Sequence, residues 1–183
     1  MLENIYSGKK VIVTGHTGFK GAWLSIWLKM LGADLYGIAN RIYEAPSLYE
    51  EVHVGDGLTS YMADIRDLTK MKENFSAVKP NFVFHLAAQA IVKASYVDPV
   101  ECMTTNIIET VNILEALCGL TNDCVVVMIT SDKCYDNVEW IWGYRETYAL
   151  SGKEPYSASK GGAELMIKTY CHSGVIQNCA LGC

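Results

Sequence analysis

Ser131, Tyr156 and Lys160 have the residue types and spacing for proton-transfer chemistry. Tyr156 and Lys160 are four residues apart at the start of a predicted helix, so they lie on one helical face. A phenol is a poor base at neutral pH, but a neighbouring ammonium group favours the phenolate. Ser131 follows Thr130, which comes directly after the apolar strand Cys124–Ile129. At this strand end the Ser131 hydroxyl can hold a substrate oxygen. The pattern predicts a tyrosine base assisted by a lysine.

A glycine-punctuated turn near the N-terminus predicts a dinucleotide site. It follows the apolar run Val11–Thr14 and precedes an apolar helix at Ala22–Leu31. Gly15 can take the tight turn, Gly18 lets a pyrophosphate approach the backbone, and Gly21 lets the helix pack close to the strand. The helix N-terminus offers free N–H groups to the phosphates. An ordinary glycine-rich turn between strand and helix is the alternative.

The order of apolar runs and helical patterns predicts an α/β fold, a Rossmann-type doubly wound parallel sheet in one domain. The expected strand order is 3-2-1-4-5, with a sixth strand at Val175–Ala180. Residues 42–58 are expected to form a loop. The remaining predicted strands are Leu35–Ala39, Ser60–Ala63, Asn81–Leu86 and Cys124–Ile129. The remaining predicted helices are Leu68–Val78 with Asp67 as N-cap, Pro99–Cys118 and Tyr156–Tyr170.

Polar residues after the second and third strands are candidates for contacts with the adenosine end of a dinucleotide. An acidic residue commonly follows the second strand and holds the ribose, but this chain has Asn40 and Arg41 there. Arg41 either pairs with a 2′-phosphate or is simply solvated, so the choice between NAD and NADP stays open. Asp64 either accepts a hydrogen bond from the adenine amino group or is a second capping residue.

The fourth strand and the long helix supply further candidates. His85 is expected to pack at the strand end, and the small residues after it allow a ligand to lie against the backbone. Asn106 is a polar exception in the long helix and is expected to bridge the backbone beside the active site. The core face of that helix is predicted from helical spacing to consist of Ile107, Val111, Leu114 and Leu117.

Composition excludes several classes of function. A net charge of −5 without a basic run argues against nucleic acid as the main partner. No apolar stretch reaches the length of a membrane span, and no signal peptide is recognisable, so a soluble cytoplasmic protein with no membrane partner is expected. Seven cysteines without a C-x-x-C pair predict free thiols in a reducing compartment, and no metal site is assigned.

Six motifs together carry a family resemblance over residues 9–170. They are Thr14-Gly15-His16-Thr17-Gly18-Phe19-Lys20-Gly21, Asp64-Ile65-Arg66-Asp67, His85-Leu86-Ala87-Ala88-Gln89, Thr130-Ser131-Asp132-Lys133-Cys134-Tyr135, Trp142-Gly143-Tyr144-Arg145-Glu146 and Tyr156-Ser157-Ala158-Ser159-Lys160. The set resembles the nucleotide-sugar 4,6-dehydratases of the extended short-chain dehydrogenase/reductase superfamily, in particular those that act on CDP-glucose. Relatives that act on other nucleotide sugars usually carry Asp-Glu where this chain has Asp132-Lys133.

The resemblance implies a dehydration in which NAD⁺ is both consumed and regenerated. Tyr156, assisted by Lys160, would take the proton from the sugar 4-hydroxyl as C4 passes hydride to the cofactor. The resulting ketone acidifies the C5 proton, Lys133 would be the base at C5, and Asp132 would protonate the departing 6-hydroxyl. Hydride would then return to C6. A lysine base requires burial or nearby positive charge, and the alternative is that Lys133 only orients Asp132.

The resemblance also implies the cofactor contacts, the substrate and a homodimer. The substrate would be CDP-glucose, and the two long helices Pro99–Cys118 and Tyr156–Tyr170 would form the dimer contact. The implied cofactor residues, besides Tyr156 and Lys160, are Gly15, His16, Thr17, Gly18, Phe19, Lys20, Gly21, Asn40, Arg41, Asp64, Ile65, Leu86, Ala87, Ala88, Gln89, Asn106 and Thr130.

Residues 171–183 do not resemble the continuation expected of this family, in which a C-terminal sugar-nucleotide domain follows. We therefore expect an incomplete Rossmann domain with apolar surface exposed beside the catalytic helix. Two alternatives to an active dehydratase stay open. One is a non-catalytic remnant that binds NAD, and the other is an epimerase or reductase of the same superfamily, for which an Asp132-Lys133 elimination pair is not needed.

Overall fold

A parallel β-sheet forms the centre of the computed structural model, which describes residues 5–176 and 179–182. Within these residues the sheet has six strands in the order β3-β2-β1-β4-β5-β6. The doubly wound parallel sheet predicted from the sequence is therefore confirmed. The strands are β1 Lys10–Thr14, β2 Asp34–Ala39, β3 Leu58–Met62, β4 Phe82–His85, β5 Cys124–Met128 and β6 Cys179–Gly182.

Helices connect consecutive strands and cover the sheet. The α-helices are α1 Phe19–Met30, α2 Leu48–Glu51, α3 Leu68–Val78, α4 Val92–Val97, α5 Pro99–Met103, α6 Glu109–Cys118 and α7 Pro155–Ser173. A π-helical segment at Thr104–Ile108 joins α5 to α6, and a 3₁₀ turn at Asp132–Cys134 follows β5. Among the described residues, no helix is long and apolar enough to cross a membrane.

Alternate residues of each central strand enter two apolar layers, as expected of a parallel sheet. Ile12, Val83 and Val126 belong to the larger layer, which α3, α6 and α7 complete with side chains such as Phe75. The smaller layer lies under α1 and contains Val11, Val13, Leu28 and Leu35. Because both layers include side chains of β1, residues 11–14 of this strand are buried, and its carboxyl end opens at the centre of the sheet edge.

The structure corrects several sequence predictions. The predicted loop 42–58 contains α2, a single turn that Ser47 caps, and the start of β3; α4 was also missed. Both helices are too short for helical periodicity to register. The sixth strand is found at Cys179–Gly182 rather than Val175–Ala180, and residues 177 and 178 of the predicted span lie outside the described part of the chain.

The π-helical segment changes which residues of the long helix are buried. Leu114 and Leu117 are buried as predicted, but Ile107 and Val111 are only half-buried. Glu109 is fully buried instead. A π turn adds a residue to the helical repeat and so rotates the residues before it relative to those after it. A single helical period across both halves therefore could not identify the buried face.

Exposed apolar side chains lie both on α1 and on the helical segments that pack beside α7. The side chains of Phe19, Trp23, Trp27 and Met30 are 55–81% exposed and lie along the outer face of α1. On α7, Leu165 is exposed, while Ala163 and Ile167 are buried against the rest of the domain. The expectation of exposed apolar surface beside the catalytic helix is met by Val97, Val100 and Ile108, and α1 carries a further exposed apolar face.

Replacing Asp67 with alanine tests the N-cap of α3. The Asp67 carboxylate accepts a hydrogen bond from the Lys70 amide at 3.0 Å, as the sequence predicted. We expect Asp67→Ala to lower the free energy of unfolding in urea by about 1 kcal/mol, while Asp67→Asn, which keeps an acceptor oxygen, changes it by a few tenths. Equal losses in the two variants would contradict a capping role.

Candidate active site

The candidate site lies at the carboxyl ends of β1, β4 and β5, where a doubly wound sheet binds ligands. Four segments meet at this edge: the turn from Gly15 to Gly21, residues 86–89 after β4, residues 130–134 after β5, and the first turns of α7. The fold therefore brings together the glycine turn, Ser131 and the tyrosine–lysine helix that the sequence had placed in separate segments.

The turn between β1 and α1 forms a cradle that side chains would fill. Gly15 has a φ of +73°, and a Cβ there would lie 2.8 Å from the Ala87 amide nitrogen. A Cβ on Gly21 would overlap the Gly15 carbonyl oxygen. Gly18 is the N-cap of α1 and supplies no side-chain hydrogen bond to the helix. The first N–H groups of α1 thus need another acceptor, and a pyrophosphate fits this donor set.

His16 and Thr17 turn inward from this cradle and fasten it to the neighbouring strands. The buried His16 ring fills the space that a Cβ on Gly37 of β2 would need, and its Nε2 lies 2.9 Å from Ser60 Oγ. Burial lowers the pKa of His16, which favours the neutral ring. Thr17 Oγ1 donates to the Arg41 carbonyl at 2.8 Å. By contrast, Phe19 and Lys20 are exposed at the start of α1.

The adenosine-side candidates lie at the ends of β2 and β3. Asn40 and Arg41 are exposed, and the Arg41 guanidinium lies 4.9 Å from the centre of the Tyr43 ring. The Asp64 carboxylate pairs with Arg66, with Nη2 and Oδ2 2.6 Å apart. Hydrogen bonds from the Arg66 side chain lower the pKa of Asp64, so this group stays ionised. Ile65 is buried, and its carbonyl accepts a hydrogen bond from Asn112 Nδ2.

A buried polar chain links β1, β4 and α6 beneath the site. Thr14 Oγ1 accepts hydrogen bonds from the amides of Leu86 and Ala87, each at 3.1 Å, and lies 2.8 Å from His85 Nδ1. Because the two amides occupy its lone pairs, the Thr14 hydroxyl must donate its proton to His85 Nδ1. His85 Nε2 then carries the ring proton and donates to Glu109 Oε1 at 3.1 Å. Packing of His85 at the strand end, as predicted, is confirmed.

Glu109 is a residue that sequence reasoning missed. Its Oε2 has no hydrogen-bond partner among the described residues, and burial raises its pKa. Burial also lowers the pKa of the nearby Lys160 ammonium, while the negative charge of Glu109 opposes that change. The sequence signal that could have identified Glu109 is its position as an acidic residue inside an apolar helix.

Asn106 bridges three segments next to Lys160, in agreement with the sequence prediction. Its side-chain oxygen accepts from the Gln89 amide at 2.9 Å, and its Nδ2 donates to the Gln89 carbonyl at 3.0 Å. Nδ2 also lies 2.8 Å from Ser159 Oγ on α7. Asn106 sits in the π-helical segment, so the helical irregularity coincides with the polar contact that fixes residues 86–89.

The polar side chains after β5 form hydrogen bonds within their own segment and with α7. Thr130 donates to Glu164 Oε1 at 2.6 Å, and Ser131 Oγ donates to Asp132 Oδ1 at 3.1 Å while accepting from the Lys133 amide. Asp132 and Lys133 are exposed, so the burial that a lysine base would require is not provided by this arrangement. Solvent therefore surrounds both of the groups expected to act on C5 and C6.

Tyr156 and Lys160 occupy the first two turns of α7. Tyr156 is half-buried and Lys160 is 6% exposed, so the helix presents the phenol closer to solvent than the ammonium. Glu154 caps this helix and accepts hydrogen bonds from the amides of Tyr156 and Ser157 at 2.7 and 2.8 Å. The sequence analysis missed this cap. Among the described residues, no group of His, Cys, Asp and Glu side chains could hold a metal ion.

Two substitutions of Glu109 test the buried chain. Glu109→Gln keeps an oxygen that accepts from His85 Nε2–H, whereas Glu109→Leu leaves that buried donor without a partner. We expect the Leu variant to be less stable than the Gln variant by about 1–3 kcal/mol in urea unfolding. Equal stability of the two variants would contradict the assigned donor and acceptor.

The pH dependence of stability tests the burial of the Glu109 carboxyl. Because its folded-state pKa is raised, its contribution is complete below the ordinary carboxyl pKa and is lost as the pH rises through the folded value. Glu109→Gln removes this loss, so the stability of the Gln variant relative to wild type should increase from about pH 4.5 upward. Parallel stability–pH curves would contradict a raised pKa.

Comparison with known proteins agrees with this geometry. The model of the family described as GDP-mannose 4,6 dehydratase matches residues 12–183, which extends past residue 170, where the sequence resemblance was expected to end. A CDP-glucose 4,6-dehydratase from Salmonella typhimurium is 48% identical over 171 residues, or 93% of this chain and 48% of the relative. A human GDP-mannose 4,6 dehydratase is 26% identical, over 81% of this chain and 42% of its own length.

Solved structures share the fold. A UDP-glucose 4-epimerase from Thermus thermophilus, solved in complex with NAD, matches with a TM-score of 0.76 at 31% identity. The match covers 90% of this chain and 51% of the epimerase chain. A dTDP-glucose 4,6-dehydratase from Streptomyces venezuelae has a TM-score of 0.79 at 23% identity, and the match covers 94% of this chain and 54% of the dehydratase chain. The chain spans about half the length of these relatives. With the family match running over residues 12–183, the chain belongs to the GDP-mannose 4,6 dehydratase family of extended short-chain dehydrogenases/reductases.

Proposed function

We propose that this chain carries the cofactor-binding and proton-transfer half of an NAD-dependent 4,6-dehydratase that converts CDP-glucose to CDP-4-keto-6-deoxyglucose. The observation that carries the proposal is the placement of Asp132-Lys133 after β5, at the same sheet edge as the first turns of α7. This arrangement occurs in a chain 48% identical to a CDP-glucose 4,6-dehydratase. An elimination needs an acid and a base in addition to the tyrosine, and the pair can supply both.

NAD is the proposed cofactor, and when bound it would accept hydride from the sugar C4 and return it to C6. The cradle of Gly15, Gly18 and Gly21 would hold the pyrophosphate against the N-terminus of α1. Residues 86–89, fixed by Thr14 and Asn106, would lie against the nicotinamide ribose. The epimerase at 31% identity that was solved in complex with NAD supports NAD as the cofactor.

The chain's own side chains would then manage the protons. The buried ammonium of Lys160 stabilises the phenolate form of Tyr156, and this phenolate takes the proton of the 4-hydroxyl and becomes a neutral phenol. Ser131 turns its hydroxyl from Asp132 to the substrate oxygen, and the exposed Asp132 carboxyl, once it has taken a proton from solvent, gives that proton to the departing 6-hydroxyl. Lys133 accepts the C5 proton once substrate excludes water from it, or it orients Asp132.

A role in binding NAD without turnover is the second candidate. It is favoured by the exposure of Asp132 and Lys133, which does not give a lysine base the burial it would require. The two candidates differ in one property, because both bind NAD but only the first needs a sugar-nucleotide site.

A homodimer through the long helices is part of the proposal. Val100 and Ile108 on the α5–α6 helix are 71% and 52% exposed, and Leu165 on α7 is 52% exposed. Apolar side chains on two neighbouring helices are suited to a four-helix contact with a second copy.

Turnover of CDP-glucose in the presence of NAD⁺ tests the proposed reaction. We expect a product that has lost one water by mass, and we expect Tyr156→Phe to lower kcat by about 10²–10⁴-fold. Tyr61→Phe is the matched control, since Tyr61 lies on β3 and stacks on Tyr36 far from α7. NAD⁺ at about 100 times its Kd should add about 2.7 kcal/mol to the free energy of unfolding.

The outcomes separate the two candidates. Water loss that depends on Tyr156 supports the dehydratase. A folded chain that NAD⁺ stabilises but that yields no product would contradict it and leave cofactor binding alone.

A further inference from the structure

We propose that Cys124 and Cys179 form a peroxide-sensitive dithiol that closes into a disulfide between β5 and β6. The proposal does not rest on the function proposed above, because the pair lies at the amino-terminal edge of the sheet, opposite the candidate active site. Both thiols are free in the structure, as the sequence predicted, but the fold places these two cysteines side by side.

The strand register brings the two residues together. Cys124 and Cys179 are direct partners in the parallel pairing of β5 with β6. Neighbouring strands lie about 4.8 Å apart, and disulfides form at Cα separations of about 4.4–6.8 Å. Both side chains lie on the same face of the sheet, since both contact the larger apolar layer. No sequence motif marks the pair, because the two residues are distant along the chain.

The surroundings assign different roles to the two thiols. Cys124 is 2% exposed, its thiol donates to the Val125 carbonyl at 3.8 Å, and the neighbouring Cys179 sulfur together with burial raises its pKa. The Cys124 thiol in turn lowers the pKa of Cys179, outweighing burial and the charge of Asp123. Cys179 is half-buried at the edge strand and therefore open to small oxidants. A stabilised, accessible thiolate beside a second thiol is the arrangement of redox-sensing cysteines.

The chemistry balances with hydrogen peroxide as the oxidant. The Cys179 thiolate attacks one peroxide oxygen, the O–O bond breaks, and Cys179 sulfenic acid and hydroxide form. The Cys124 sulfur then attacks the sulfenic sulfur, the S–O bond breaks, and the proton from Cys124 leaves with the hydroxyl as water. Two thiols are oxidised by two electrons and one peroxide is reduced to two waters.

The expected consequence of the disulfide is a covalent link between β5 and the edge strand β6. Among the described residues, β6 pairs with β5 alone, so its attachment depends on one ladder and on its packing. A disulfide between residues 124 and 179 closes a long loop, and closing long loops restricts the unfolded chain most. The oxidised chain should therefore melt at a higher temperature than the reduced chain, and dithiothreitol should reverse the shift.

The experiment treats the purified chain with hydrogen peroxide, alkylates the remaining thiols and maps the peptides by mass spectrometry. We expect a chain lighter by two hydrogens, five alkylated cysteines of the seven, and one linked peptide pair that contains Cys124 and Cys179. Cys124→Ser should stop at a sulfenic acid on Cys179, which dimedone traps. Cys179→Ser should give neither disulfide nor trapped adduct.

Cys171→Ser is the matched control, since Cys171 is exposed on α7 and should leave the disulfide unchanged. Melting curves under reducing conditions establish that each variant folds. If Cys124→Ser does not fold, the half-buried Cys179→Ser still decides the result. A link from Cys179 to another cysteine, oxidation spread evenly over the thiols, or no disulfide at peroxide levels that oxidise Cys171 would each overturn the proposal.

Discussion

The close backbone approach at the carboxyl end of β1 is the constraint on which the rest of the site depends. Gly21 contacts the Gly15 carbonyl, and Gly15 contacts the Ala87 backbone, at separations that leave no room for a methyl group. α1 and the segment after β4 are thereby held against one strand end. The donors of α1 and the backbone of residues 86–89 consequently face the same space, and a long ligand with a central diphosphate can contact both.

A polar network beneath that contact connects the cofactor side of the site to its catalytic side. Thr14 accepts hydrogen bonds from the amides that follow β4, and His85 is hydrogen-bonded to Glu109. Asn106 is hydrogen-bonded both to Gln89 and to Ser159 of α7. Two residues of this network, Asn106 and Glu109, lie on the long helix. Asn106 lies within the π-helical segment and Glu109 directly follows it, and this segment departs from regular helical geometry. Such departures are common where a helix presents side chains to a functional site. The negative charge of Glu109 in this network opposes the lowering of the Lys160 pKa that burial causes.

Local signals made much of this structure predictable. The Asp67 cap, the whole of α3 and the glycine turn follow from residues within a few positions of one another. The features that escaped prediction depend on the tertiary structure. The packing of His16 on Gly37 and the burial of Glu109 arise from strand neighbours and from an irregular helix, which a periodic pattern cannot encode. The acid and base roles of Asp132 and Lys133 also stay predictions, since both side chains are exposed.

Hydrogen exchange measured with and without NAD⁺ tests most directly the claim that the segments around β1 form one dinucleotide site. With NAD⁺ at about 1 mM, amides in residues 15–21 and 86–89 should exchange more slowly, while those of residues 75–78, at the end of α3 near the amino end of β4 and so at the opposite edge of the sheet, should change little. Slower exchange in both segments would agree with a ligand that spans the Gly15–Ala87 contact. Unchanged exchange in both, in a chain that melts cooperatively, would contradict it.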